Sequence, residues 1–303
     1  MNKANPNPNM SSDRRSRDLV GLGVVAVHAH PDDESISTGG ALADLARRGA
    51  DVLVVTCTLG EEGEVIGETY QGLVNDEADQ LGGFRIHELS RALAILGVRG
   101  EFLGGVGRYR DSGMAGSPAS RNPRAFVNSG EAAVKNLVEI FRREAPHLVL
   151  TYDPNGGYGH PDHIRAHEIT HLAAQQVDIP RILWAARLRE ELEANFADDI
   201  PAGWTHPAPG ELDAVDTTDT WVEMDDVVYA AKAEAMKAHA TQIWLADGSV
   251  SLTNPHPVIA RGPVTTYALS NLIAQPIIRR EHYLLGAGLP LDHGADIASG
   301  LDF

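Results

Sequence analysis

Short runs of β-branched and apolar residues alternate with helix-spaced apolar positions through the first two thirds of the chain. Residues 22–28 and 52–57 read as buried strands, with a helix over 40–48 that Gly49 ends. Residues 77–96 place Ala78, Leu81, Leu89, Leu93 and Leu96 at helical spacing before Gly97 stops the pattern. A short strand is expected at 101–103, then a glycine-rich stretch over 104–128. Helices over 132–144 and 163–176 flank a strand at 147–151, and a fifth strand falls at 181–186. Strands separated by helices require right-handed crossovers, so the pattern predicts an α/β fold. Residues 20–187 are expected to form a Rossmann-like, mainly parallel sheet with helices on both faces. Beyond it, 199–219 reads as a loop, 220–224 as a strand and 226–239 as a helix. Residues 188–303 therefore form a smaller, partly irregular C-terminal portion, with one short strand near 282–285.

Composition narrows the function. Acidic residues outnumber basic ones by 42 to 25, for a net charge of -17. Such a surface repels phosphate backbones and anionic lipid, which leaves no role for nucleic acid or membrane and favours a small neutral or cationic substrate. No apolar stretch approaches the roughly 20 residues that span a bilayer. Residues 1–19 are rich in Asn, Pro, Ser and Arg without an apolar core, and read as a disordered tail. The one cysteine, Cys57, lies in an apolar run and is expected to be a buried thiol, in keeping with a reducing cytoplasm.

Ligands of such sheets bind beyond the carboxyl ends of the strands, and the unusual residues fall there. His30-Pro31-Asp32-Asp33-Glu34 follows the first strand directly. Imidazole and carboxylate on one tight turn suit a divalent metal, and of two adjacent carboxylates one can bind it while the other takes a proton from water. A solvated acidic turn with a helix cap is the plainer reading of this segment alone. The segment 152–163 follows the fourth strand and carries His160, Asp162 and His163 in a loop rich in Gly and Pro. Each of these histidines alone fits a cap or a core position. Both clusters together, at one sheet edge, can supply three ligands and leave a fourth position for water, as in catalytic zinc sites. His167 and His171 continue the helical spacing from His163 but lie deeper, so packing explains them better. His28 sits two residues before His30 as a candidate supporting group. The loops at 60–64 and 107–113 mix donors and carboxylates in the manner of a sugar site. No G-x-G-x-x-G follows the first strand, which argues against nicotinamide or flavin chemistry.

The quoted segments resemble a known family. AHPDDE (29–34) and GHPDH (159–163) are similar to the two signatures of the LmbE/PIG-L-type zinc-dependent N-acetylglucosaminyl deacetylases. The stretches at 56–67, 79–89, 107–116 and 151–163, with HATQ (239–242) and EHYLL (281–285), resemble the mycothiol-pathway branch that deacetylates N-acetylglucosaminyl-inositol. The resemblance implies one Zn2+, with Fe2+ suited to the same set, held by His30, Asp33 and His163. It implies Asp32 as general base, His160 as imidazolium acid oriented by Asp162, and Tyr158 as the group that steadies the carbonyl oxygen. Arg85, Asp111 and Met114 fall at the family's sugar contacts, and 188–303 would complete the substrate pocket. The related mycothiol S-conjugate amidases carry a Lys soon after the first motif and Pro where Gly159 stands, so this chain departs from them. A catalytically silent sugar- or metal-binding protein would not need Asp32 and His160.

Overall fold

The structure, a computed structural model, describes residues 17–303. Most of the expected N-terminal tail lies outside the described residues, but its last positions are held: Asp18 pairs with Arg48 and Leu19 is buried in the core. The chain runs through β1 (Gly23–His28), α1 (Asp33–Ser37), α2 (Gly39–Arg47), β2 (Asp51–Thr56), α3 (Leu81–Leu96), β3 (Arg99–Phe102), α4 (Gly130–Glu144) and β4 (Leu148–Thr151). It continues through α5 (Gly156–Gly159), α6 (Pro161–Ala174), β5 (Arg181–Ala186), α7 (Arg189–Ala194), β6 (Thr220–Glu223) and α8 (Asp226–Ala238). The last strands are β7 (Trp244–Leu245), β8 (Thr266–Ala268), β9 (Gln275–Pro276) and β10 (Arg280–Gly288).

The main sheet has the order β3-β2-β1-β4-β5-β10-β6, with the first five strands parallel. Alternation along β1 explains why both faces are covered. Val24 and Ala26 pack with Leu42 and Leu45 of α2, Leu89 and Leu93 of α3 and Val228 of α8. Val25 and Val27 pack with Leu137 and Phe141 of α4 and Ile169 of α6. A strand buried on both faces has no polar side, hence the continuous apolar runs. The strand order reverses at β1, with β2 on one side and β4 on the other, so a crevice opens beyond their carboxyl ends.

One expectation changes. The helix predicted from 77 begins at Leu81, because Asp79 takes a positive φ of 53° and the chain before it folds into turns. The strand expected near 282–285 is part of β10, which runs antiparallel between β5 and β6 and so extends the main sheet. The small β7-β8-β9 sheet, with strands of two or three residues, went unread in the sequence.

Two buried charges tie this portion down. Glu281 of β10 accepts the Gly40 and Ala41 N–H groups at 2.7 and 2.6 Å, and pairs with Lys232 of α8. An anion at the start of α2 meets free N–H donors and the positive end of the helix dipole. Arg181, fully buried, has no carboxylate partner among the described residues but donates to the carbonyls of Leu289, Pro290 and Ile297 at 2.9–3.1 Å. Its guanidinium thus holds the chain after β10 against β5. Arg181→Met should remove about 3 kcal/mol of unfolding free energy, since buried carbonyls lose charged donors. A lowered urea midpoint is the expected reading, and an unchanged midpoint would show that those carbonyls find other donors.

Candidate metal centre

The turn after β1 is strained by construction. Asp32 adopts φ 125°, a region costing a non-glycine residue about 1–3 kcal/mol. Buried Glu34 offsets that strain. Its Oε2 accepts the Asp32 N–H at 2.9 Å, while Oε1 accepts the Ser35 hydroxyl at 2.6 Å and lies 2.7 Å from His239 Nε2. The Asp32 carbonyl meanwhile accepts from Ser35 and Ile36 and so starts α1. The turn thereby aims Asp33 back at His30, whose N–H donates to Asp33 Oδ2 at 2.9 Å.

The loop after β4 supplies the third group. His160 is the N-cap of α6 and Pro161 its first residue, which puts His163 on the first turn. Gly156 passes so close that a Cβ there would lie 2.7 Å from His163 Cβ, and its carbonyl takes the His163 Nδ1 proton at 3.1 Å. That bond fixes the tautomer and leaves the Nε2 lone pair free. On the other ring, His30 Nε2 faces Asp162 Oδ2 at 3.3 Å, which leaves Nδ1 free. His30 Nδ1 to Asp33 Oδ2, His163 Nε2 to Asp33 Oδ1 and His163 Nε2 to His30 Nδ1 each measure 3.3 Å. Tetrahedral zinc with bonds near 2.0–2.1 Å separates its ligands by about 3.3–3.4 Å. The donor set, its spacing and the two outer hydrogen bonds therefore fit a zinc-like ion.

The charges agree. Burial works against a charged His30, yet Asp111, Asp162 and Asp33 together raise its affinity for a proton well above the usual imidazole range. Burial likewise opposes an ionised Asp33, but the His163 and His30 rings hold its carboxyl well below the carboxylate range. A pocket that binds a proton this firmly is built for positive charge.

The neighbours expected to react gather here. Burial pushes Asp32 up to about 6 against the pull of Arg85, whose guanidinium stands 3.1 Å from Asp32 Oδ2. Arg85, on α3, also donates to the Gly60 and Pro31 carbonyls, so it joins the turns after β1 and β2. His160 comes within 4.8 Å of the His30 and His163 ligand atoms, and burial with those two rings lowers it to about 3. Asp162 holds His160 through its backbone, whose N–H donates to His160 Nδ1 at 3.1 Å. The Asp162 carboxylate instead takes His30 and the Ser112 N–H. Tyr158 stands half exposed on α5, edge-on to His163 with ring centroids 5.1 Å apart. Asp111 is buried 3.5 Å from His30 Nε2 and accepts the Gly113 N–H, and exposed Met114 lines the same cleft.

Other residues play parts the sequence left unassigned. Tyr152 stacks on His163, with centroids 4.2 Å apart and planes 17° off parallel, and its hydroxyl accepts the Ala29 N–H at 2.9 Å. His28 bonds Thr38 at 2.9 Å, and His167 and His171 turn to the Tyr152 carbonyl and Trp184, as packing groups would. Cys57 is buried, and burial raises its thiol. Glu34 and His239 both lie inside quoted motifs, so their signal was present without a role. The cleft measures about 660 Å³ and extends from His30 past Ile36 and Met236 to β8 and β9. That is ample for a disaccharide-sized ligand.

Comparison with known proteins agrees with this geometry. Residues 25–174, which include both turns of the candidate metal centre, match the family described as GlcNAc-PI de-N-acetylase, PIG-L. A 1D-myo-inositol 2-acetamido-2-deoxy-alpha-D-glucopyranoside deacetylase of Corynebacterium glutamicum (strain R) is 62% identical over 292 residues, spanning 94% of this chain and 99% of its own. The Corynebacterium diphtheriae protein of the same name is 61% identical over 282 residues, spanning 91% and 96%. Among solved structures, the 4-carboxy-2-hydroxymuconate hydratase GalB shares the fold with a TM-score of 0.51 at 17% identity, over 90% of this chain and 100% of that one. Matched across both turns of the candidate centre, and 62% identical to a relative over nearly its whole length, the chain belongs to the PIG-L family of GlcNAc-PI de-N-acetylases.

Proposed function

We propose that this chain hydrolyses the acetamide of 1-O-(2-acetamido-2-deoxy-glucopyranosyl)-myo-inositol to the free amine and acetate, a step of mycothiol biosynthesis. The observation that carries the reading is the triangle of His30, Asp33 and His163 donor atoms beside the Asp32–Arg85 pair. Relatives that share most of the chain bear the name of this activity. Zinc suits two imidazoles and one carboxylate, as does iron(II), and either would polarise the acetamide carbonyl and acidify water beside it. Residues 188–303 complete the pocket in this reading, since β8, β9 and β10 line its far wall.

The protein groups then divide the work. Asp32, poised near 6, takes a proton from the attacking water as its oxygen bonds to the acetamide carbon. Tyr158 and the Nε2–H of His160 donate to the oxygen that gains charge. The resemblance assigned the leaving group's proton to His160 as imidazolium. With Nδ1 accepting from Asp162, that ring holds its single proton on Nε2. The proton for the amine therefore comes from Asp32, which acquired it one step earlier. The C–N bond breaks with its electrons on nitrogen, and acetate leaves.

The S-conjugate amidase alternative meets a backbone objection. Gly159 has φ 87°, and proline, fixed near -65°, cannot occupy that position in this loop. No described helix is long and apolar enough to cross a membrane. With a lone buried thiol, the reading places the enzyme in the cytoplasm.

Wild-type protein loaded with zinc should release amine from the glucosaminyl-inositol substrate faster than from a mycothiol S-conjugate or plain N-acetylglucosamine, and chelator should abolish it. Faster release from the conjugate would overturn the substrate assignment. His163→Ala should lose bound zinc, read by elemental analysis, and full zinc content would refute the ligand set. Asp32→Asn should keep zinc while kcat falls by about 10²–10⁴-fold, and undiminished kcat would remove Asp32 from the chemistry.

A further inference from the structure

The wall of the cleft supplied by the C-terminal portion carries a hydrogen-bonded group that the chemistry does not use. Arg187, one residue past β5, donates from Nη1 to Gln275 Oε1 on β9 at 3.1 Å. The Tyr267 hydroxyl, on β8, donates to the same oxygen at 3.2 Å. Arginine has donors only, so the atom facing it must be the amide oxygen, and the Gln275 amide has a single orientation. Its Nε2 carries two protons, and among the described residues it donates to no protein group. Gln275 and Tyr267 are buried, and with Arg187 they line the cleft that holds His30 and Asp32.

An acceptor completes the group. Asp213 lines the same cleft and stands against the catalytic loop, where a Cβ on Gly157 would come 3.7 Å from its Oδ2. The loop carrying it is anchored beside Arg187, whose carbonyl accepts the Val215 N–H at 2.9 Å. Fixed amide donors, the remaining guanidinium N–H groups and a carboxylate thus share one wall. A neutral ligand with hydroxyls on several carbons offers both a donor and an acceptor at each, and satisfies such a wall. An apolar group would leave polar atoms without partners, and a group of either charge would meet its like on Arg187 or Asp213.

We propose that Gln275 and Arg187, with Asp213 in the same cleft, are the specificity-determining residues that read the polyhydric-alcohol ring attached to the amino sugar. This inference rests on the deacetylase reading above. It makes the C-terminal elements the part of the enzyme that distinguishes the inositol glycoside from a bare sugar.

The test compares kcat/KM on N-acetylglucosaminyl-inositol with kcat/KM on plain N-acetylglucosamine for zinc-loaded wild type, Gln275→Met and Arg187→Met. Methionine keeps the length of either side chain near enough for folding, with zinc content and thermal midpoint as the check. Each variant should reduce the ratio of the two constants by about 10–100-fold, the worth of one or two hydrogen bonds to a fixed donor. A ratio kept within about twofold in both folded variants would overturn the inference while leaving the deacetylase reading intact. A wild type that does not prefer the inositol glycoside would overturn it as well. No amine from wild type with either substrate would sink the deacetylase reading itself, and this one with it.

Discussion

A single buried carboxylate holds the site together. Glu34 lies in the second half of the first motif and points away from the reacting centre, yet it accepts from the Asp32 N–H and the Ser35 hydroxyl and faces His239. Burying a charge without partners would cost several kcal/mol, and three partners in good geometry offset that. In return the backbone of Asp32 stays in a conformation the chain would otherwise leave. The direction of Asp33 and the exposure of Asp32 both follow from that one turn. Glu88, which accepts the N–H and hydroxyl of Thr241, repeats the device two residues further along the same C-terminal segment.

The fold alone carries little of the function. A hydratase shares this architecture over nearly all of the chain, and layered α/β sheets host many chemistries. What distinguishes this molecule is the content of the two turns at the switch point. Both candidate imidazole ligands are braced by groups behind them: Gly156 and Tyr152 behind His163, Asp162 behind His30. The bracing explains why the motifs are longer than the candidate ligand set.

Much of this was legible before any coordinates. Parallel strands buried on both faces leave continuous apolar runs, so β1, β2, β4 and β5 stood out, and Gly97 marked a helix end that the structure shows as a left-handed cap. The resemblance placed His30, Asp33 and His163, and the coordinates bring those three within contact of one another. What stayed hidden depends on distance along the chain. No local pattern joins Glu34 to His239 or Glu281 to Gly40, and strands of two or three residues have no period to detect. The part played by Asp162 is only half visible in sequence: its backbone and carboxylate serve different histidines, and sequence does not separate them.

The position of β10 has a consequence for how the molecule is made. A strand made late lies between β5 and β6, which precede it by about 60 to 100 residues. During synthesis the edge of β5 that meets β10 has no neighbour until about 100 further residues have left the ribosome. An open, apolar edge is the kind of surface that other chains adhere to. The newborn protein thus passes through a period in which its parallel half is complete and sticky, closed only by the arrival of β10. Chaperone demand and aggregation during overproduction should be concentrated in that interval.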